Sequence, residues 1–466
     1  RVGRHVRAVV ALNTVGGIRR PAAWEHSTGE GVVVAVLDTG ATPHVDLKDN
    51  LIPGYDFISW YGQSADQPDV AGDGDGRDPD ATDPGDWVDA SMPWCGASSS
   101  SSWHGTHVAG TVAAMTNNGI GVAGTAWGAK VQPVRVLGHC GGLTSDIADA
   151  IVWAAGGHVD GVPDNPTPAD VINLSLGGSG RCAEDPATQE AIDLATARGT
   201  TVVVAAGNQA ADAVNYSPAS CRNVITVGAT GIGGRIASYS NYGSNVALAA
   251  PGGDPDSSAG ISQGYVWSTG NEGATVAGRD ILVGMVGTSM AAPHVAGIVA
   301  LMQSASVGAD RGALSPAQVR QLLVDSARPF PIAPPADRPI GAGLADAAGA
   351  VQLALGNPLP EPPIPGLQNG VLSSGLGGAA AQSFVYQLTV PAGTRSLNLR
   401  TVGGRGDVSL YASQGTAPTP DDAQFRSNRP GNAETIVVSN PRAGTWYLRI
   451  VGEAAFTDVG VLAITR

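Results

Sequence analysis

Between about residue 30 and residue 355, short apolar runs alternate with stretches of helical periodicity, and that alternation points to a parallel sheet with helices on both faces. Val32 to Leu37, Val131 to Leu137, Val171 to Leu176, Thr201 to Ala206 and Val224 to Gly228 read as buried strands. Helical patterns cover residues 104–115, 144–156, 186–198 and 289–305. The expectation is a three-layer α/β domain over residues 1–355, with its site at strand ends and helix starts.

From Gly356 the character changes. Residues 356–380 are dominated by Pro, Gly, Ser and Leu, with Pro358, Pro360, Pro362, Pro363 and Pro365 close together, and are expected to form an extended linker because they cannot bury a core. Beyond it, Phe384 to Val390, Ser396 to Thr401, Val408 to Tyr411, Glu434 to Val438 and Trp446 to Val451 alternate apolar and polar residues between turns. Residues 381–466 are therefore expected to form a small antiparallel β-sandwich.

Composition narrows the function classes. A net charge of −14, with only 14% charged residues, argues against electrostatic binding to DNA or RNA. No apolar run is long enough to span a membrane. Lysine occurs only at Lys48 and Lys130 while arginine is frequent, a skew that fits a GC-rich bacterial genome. The chain begins at Arg1 without an apolar leader, so a leader and propeptide are expected either to have been removed or to lie outside this sequence.

Three separated segments carry chemistry. Asp38 ends the run Val34-Ala35-Val36-Leu37, His104 opens His104-Gly105-Thr106-His107-Val108-Ala109-Gly110, and Ser289 lies in Gly287-Thr288-Ser289-Met290-Ala291-Ala292-Pro293-His294. A carboxylate at the end of a buried strand needs a partner, and His104 is the natural one. A serine hydroxyl needs an adjacent base to act as a nucleophile, and Gly287 allows a tight turn before it. Taken alone, Asp38 reads as a turn cap and Ser289 as a helix cap. Taken together, the chain order Asp, His, Ser is one of the known orders of the serine-hydrolase triad, distinct from that of α/β-hydrolases and chymotrypsin-like proteases.

All three segments resemble the signatures of the subtilisin-like serine proteases, or subtilases. The resemblance implies that His104 is the catalytic base and acid, that His107 and His294 are structural, and that Asn208, in Ala205-Ala206-Gly207-Asn208, donates its amide to the oxyanion. It also implies that Ser175, Leu176, Gly177 and Gly178 pair with the substrate backbone as an added strand. Ala206, Gly207 and Tyr216 are expected to line the pocket for the residue before the cut, Asn215-Tyr216-Ser217-Pro218-Ala219 being similar to the proteinase K branch. Later, Gly406 to Tyr411, Asn432-Ala433-Glu434 and Ala443 to Tyr447 resemble the bacterial pre-peptidase C-terminal domain.

The function implied is that of a secreted bacterial serine endopeptidase with an apolar or aromatic preference, a monomer acting on protein and peptide substrates. A removed propeptide is expected as folding aid and inhibitor. Peptide ligation through the same acyl-enzyme is one rival, although nothing in the sequence signals the exclusion of water it needs. A catalytically inactive protein-binding module is another, and intact Asp38, His104, Ser289 and Asn208 count against it.

Asp46 and Asn118 match two side-chain ligands of the principal subtilase calcium site, and the resemblance implies carbonyl ligation by Thr116, Ile120 and Val122. Such an oxygen shell suits Ca²⁺. The family's N-terminal ligand has no aligned counterpart here. The acidic loop from Asp66 to Asp89, with Asp73, Asp75, Asp78 and Asp83 among glycines, is a second candidate, a solvated surface loop being the alternative. Four cysteines allow three pairings, or buried free thiols. Cys95 lies just before the His104 segment and Cys140 just after the strand at Val131 to Leu137, while Cys182 and Cys221 each follow a segment expected at the cleft. The expected pairs are Cys95 with Cys140 and Cys182 with Cys221.

Overall fold

The valine-rich runs form a parallel sheet of seven strands, two more than their pattern announces. In the computed structural model, which describes residues 16–64, 67–255, 264–359 and 364–466, the strand order is Val246–Pro251, Val224–Thr230, Thr201–Ala205, Val171–Leu174, Val33–Asp38, Lys130–Arg135 and Tyr55–Asp56. Every pairing is parallel. Successive residues of a strand face opposite sides. Val34 and Val36 accordingly join a core with the helices His104–Ala113 and Thr288–Gly308, whereas Ala35 and Leu37 join a second core with Thr144–Ala154 and Pro186–Ala197. The result is a sheet between two helical layers. The two strands that sequence reasoning missed lie at the edges: Tyr55–Asp56 is two residues long, and Val246–Pro251 is alanine-rich, so neither carries a strong strand signal.

The helix Thr288–Gly308 is long and apolar enough to cross a membrane by length and composition, yet 89% of its most apolar stretch is buried inside the protein. Its Gly297 lies against Thr125, where a Cβ would come within 2.6 Å of the threonine side chain. Close packing on nearly all sides explains why it is apolar all round.

Contacts divide the chain into two units, Arg1–Leu359 and Pro360–Arg466. The second contains two four-stranded antiparallel sheets. One is ordered Ser373–Gly378, Phe456–Thr465, Ser396–Val402, Thr435–Ser439, and the other Ser383–Val390, Gly444–Gly452, Val408–Gln414, Phe425–Ser427. Leu388, Val390, Leu397, Leu399, Leu448 and Ile450 alternate with outward residues and share one core. Residues 373–378, expected within the linker, instead pair with Phe456–Thr465. The segment Ser-Ser-Gly-Leu-Gly-Gly has no apolar alternation to announce a strand, and its register with the partner shifts twice. The sandwich therefore begins before residue 381.

Candidate active site

The end of the strand Val33–Asp38 carries Asp38, which is fully buried. The helix His104–Ala113 begins after Trp103, whose backbone is left-handed (φ 53°) and whose buried indole donates to the Gly273 carbonyl at 2.8 Å. Helix and strand end approach so closely that a Cβ on Gly105 would lie 2.0 Å from the Gly40 carbonyl oxygen. That approach sets His104 Nδ1 2.8 Å from Asp38 Oδ1 and 3.0 Å from Oδ2. The Thr39 N–H also donates to Asp38 Oδ1, at 2.8 Å. With Nδ1–H given to the carboxylate, Nε2 is the ring's basic nitrogen. Burial disfavours the imidazolium, but Asp38, with help from Asp86 and Asp83, outweighs it and raises the His104 pKa.

Ser289 lies in the first turn of the central helix, which Gly287 precedes with a φ of 155° and a ψ of 162° that suit glycine and few other residues. Its Oγ donates to the Ser175 carbonyl at 3.1 Å, and the Ser175 hydroxyl donates back to the Ser289 carbonyl at 2.8 Å. That carbonyl is open to the hydroxyl because Pro293, four residues on, has no N–H to offer it. Asn208 is oriented by the residue that precedes Ser289: its Oδ1 accepts the Thr288 N–H at 2.8 Å and the Thr288 hydroxyl at 2.9 Å. Both amide hydrogens are thereby left for the cavity that Asn208 lines. This cavity, about 190 Å³, is walled by Leu176, Gly177, Ala206, Gly207, Tyr216 and Ser289. A larger groove of about 970 Å³ contains His104, and the two share Ser175, Leu176, Gly177 and Ser217.

Behind these walls, Gly178–Ser179 pairs antiparallel with Tyr216–Ser217. The Ser217 hydroxyl donates to Asp185 Oδ2 at 2.9 Å, while Asp185 Oδ1 caps the helix Pro186–Ala197 through Thr188 N–H at 3.2 Å. Cys182 is joined to Cys221 in the same region, and Cys95 to Cys140 beside the His104 groove. The two other histidines of the motifs lie in the core. His107 Nε2 is 3.0 Å from the Val266 carbonyl and 3.1 Å from that of Val283, and burial pushes its pKa down to about 4. Those carbonyls belong to the hairpin Val266–Asn271 and Asp280–Met285, which leads into Ser289. His294 bonds the Met290 carbonyl at 2.8 Å and is pushed down to about 3, again by burial. Both are neutral at ordinary pH. Sequence reasoning missed Thr288, Asp185 and the Ser175 hydroxyl, because each acts through a partner distant in the chain.

Asp46 and Asn118 come together. Asp46, fully buried, accepts from Asn118 Nδ2 at 2.6 Å and from the Val122 N–H at 2.7 Å. Burial raises its pKa despite these two donors. The Asp46 carboxylate and the Asn118 amide are oxygen-bearing side chains of the kind that Ca²⁺ takes, and here the Asn118 oxygen accepts the Ile120 N–H at 3.2 Å. The acidic loop is arranged differently. Asp83 is buried and accepts from the Thr39 hydroxyl at 2.6 Å and from the Gly85 N–H at 2.9 Å. Asp73 pairs with buried Arg135, which also holds Asp56; Asp75 is exposed, and Asp78 is half-buried, its pKa raised by partial burial and by Asp75. Among the described residues, no group of three or more His, Cys, Asp or Glu is arranged to hold a metal.

Residues 29–355 match the subtilase family, and residues 382–452 match the bacterial pre-peptidase C-terminal domain. The chain is 48% identical, over 97% of its length and 73% of the relative's, to an extracellular protease of Xanthomonas campestris pv. campestris. It is 41% identical, over 94% of its length and 73% of the relative's, to an extracellular basic protease of Dichelobacter nodosus. Among solved structures it is similar to a protease from Pseudoalteromonas arctica, with 51% identity and a TM-score of 0.66, covering 73% of this chain and 94% of that one. The family match over most of the chain, together with the seven-stranded parallel sheet and its two helical layers, identifies this protein as a member of the subtilase family.

Proposed function

We propose that this protein is a secreted bacterial serine endopeptidase in which Ser289 attacks a peptide carbonyl and His104 takes the proton at Nε2. His104 returns that proton to the leaving amine, and water then hydrolyses the acyl-enzyme by the same route in reverse. Asp38 holds the tautomer and stabilises the imidazolium. The amide of Asn208 and the backbone N–H of Ser289 receive the oxyanion. The observation that carries the reading is the hydrogen bond from His104 to buried Asp38, on a groove that shares lining residues with the cavity of Ser289 and Asn208. Secretion is supported by relatives named extracellular and by the paired cysteines.

An extended substrate would lie along Ser175 to Gly178, with the residue before the cut between Gly177, Ala206, Gly207 and Tyr216. Those small walls favour a large apolar or aromatic side chain. Calcium would be held by Asp46, Asn118 and the carbonyls of Thr116, Ile120 and Val122, where it would neutralise a buried carboxylate and rigidify the turn. The acidic loop has less support as a second calcium site, because Asp73 and Asp83 already have internal partners. Residues 1–355 would form the catalytic domain and the C-terminal sandwich a separable module. Propeptide-assisted folding is consistent with this family. Labelling the protein with a serine-directed phosphonate and mapping its peptides tests the mechanism: modification of Ser289, lost in a His104→Ala variant, is expected. Labelling of another serine, with Ser289 unmodified, would overturn it.

A further inference from the structure

The groove beside His104 holds a carboxylate that helps to raise the His104 pKa but whose hydrogen bonds go to Ser102, not to Asp38, His104 or Ser289. Asp86 lines it together with Thr39, His104 and Leu176. Its Oδ1 accepts the Ser102 N–H at 2.6 Å and its Oδ2 the Ser102 hydroxyl at 2.7 Å, with Ser102 two residues before His104. An ionised carboxylate has about four acceptor positions, so two contacts fix its orientation and leave the others available. Among the described residues no ion pair includes Asp86, and it is only partly buried. The remaining charged residues on the groove are Arg181, Glu184 and Asp185. Asp185 is committed to Ser217 and Thr188, Arg181 Nε to Asn215, and Glu184 to the Arg181 N–H. The His104 end thus carries one oriented, uncompensated negative charge.

We propose that Asp86 is a specificity-determining residue that selects Arg or Lys as the second substrate residue upstream of the scissile bond. The proposal rests on the peptidase reading. A peptide paired with Ser175 to Gly178 sends successive side chains to opposite sides. When the residue next to the cut enters the cavity of Ala206, Gly207 and Tyr216, the one before it turns toward the wall of Thr39, His104 and Asp86. A guanidinium there meets a carboxylate that Ser102 has already oriented, and an acidic side chain meets like charge. Because the groove is open to solvent, the preference should be modest and screened by salt.

The test uses the full chain and internally quenched peptides differing only at that residue: Arg, norleucine or Glu. At low salt and at a pH above the acid limb, kcat/KM should be roughly three- to tenfold higher for Arg than for norleucine, and lowest for Glu. Asp86→Asn should bring the Arg and Glu peptides to within about twofold of norleucine; because Asp86 also helps to raise the His104 pKa, the three peptides are compared on the plateau of the variant's own pH profile, and the ratio between peptides is the readout. In the unmutated protein, high salt should shrink the Arg preference, which gives a readout even if the variant does not fold. Equal rates for Arg and norleucine at low salt, an Arg preference insensitive to salt, or one that survives Asp86→Asn would each overturn the assignment to Asp86. Failure to cleave any of the three peptides would instead count against the peptidase reading itself.

Discussion

The two units of this chain distribute buried polarity in opposite ways. Within the described part of the first, Asp38, Asp46, Asp56, Asp83, Arg135 and Asp146 are all buried charged side chains, whereas in the second the only buried charged residue among those described is Glu434, held by the Ser427 hydroxyl and the Arg429 N–H. All eight histidines of the chain precede residue 359. Topology accounts for the difference. Parallel strands all end on the same side and leave their carboxyl ends open, so groups from distant segments converge there. An antiparallel sandwich faces two sheets against each other and is specified by alternation. Single polar atoms should therefore govern function in the first unit, and apolar volume should govern stability in the second.

Removing the proposed nucleophile should have the largest effect. Ser289→Ala should lower kcat by a factor on the order of 10⁶, a magnitude taken from subtilisin, itself a subtilase. Near-normal casein hydrolysis by the folded variant would break the comparison at its root. Asp38→Asn should cost about 10⁴ in kcat and also change the pH profile. The proposed mechanism needs neutral His104, so a raised pKa means that activity should be lost as pH falls through that raised value. Without the Asp38 charge the limb should move to lower pH, and a limb that stays in place would show that Asp38 does not control the imidazole. Asn208→Ala should cost about 10²–10³ in kcat with KM nearly unchanged, a figure also known from subtilisin. A comparable rise in KM would indicate ground-state binding instead.

Calcium should act on stability rather than on the chemistry. At a hundredfold excess over Kd it should stabilise the first unit by about 2.7 kcal/mol, a gain that Asp46→Ala removes. Calorimetry in chelator and in excess Ca²⁺ measures this, and an identical Tm in both would remove the site. The smallest effect is expected in the sandwich. Ile450 is fully buried, and Ile450→Val should destabilise that unit by about 0.5–1.5 kcal/mol while kcat/KM on short peptides stays unchanged. A parallel loss of peptidase activity would show that the two units are coupled.

Periodicity and motif were enough to read the layered fold and the sandwich and to put forward Asp38, His104 and Ser289 as the proposed triad, because a buried strand, a helix face and a glycine-led turn each leave a local pattern in composition. Segments whose stability comes from backbone pairing alone left none, as in the alanine-rich edge strand Val246–Pro251 and the glycine-rich strand Ser373–Gly378. The orientation of the proposed catalytic groups was likewise invisible. His104 meets Asp38 across 66 residues, Asn208 is turned by Thr288 across 80, and Ser289 exchanges hydrogen bonds with Ser175 across 114. The sequence determined which chemical groups this protein owns. Only the tertiary structure decided which lone pair faces which proton, because hydrogen bonds depend on angstrom-scale geometry that long-range packing alone establishes.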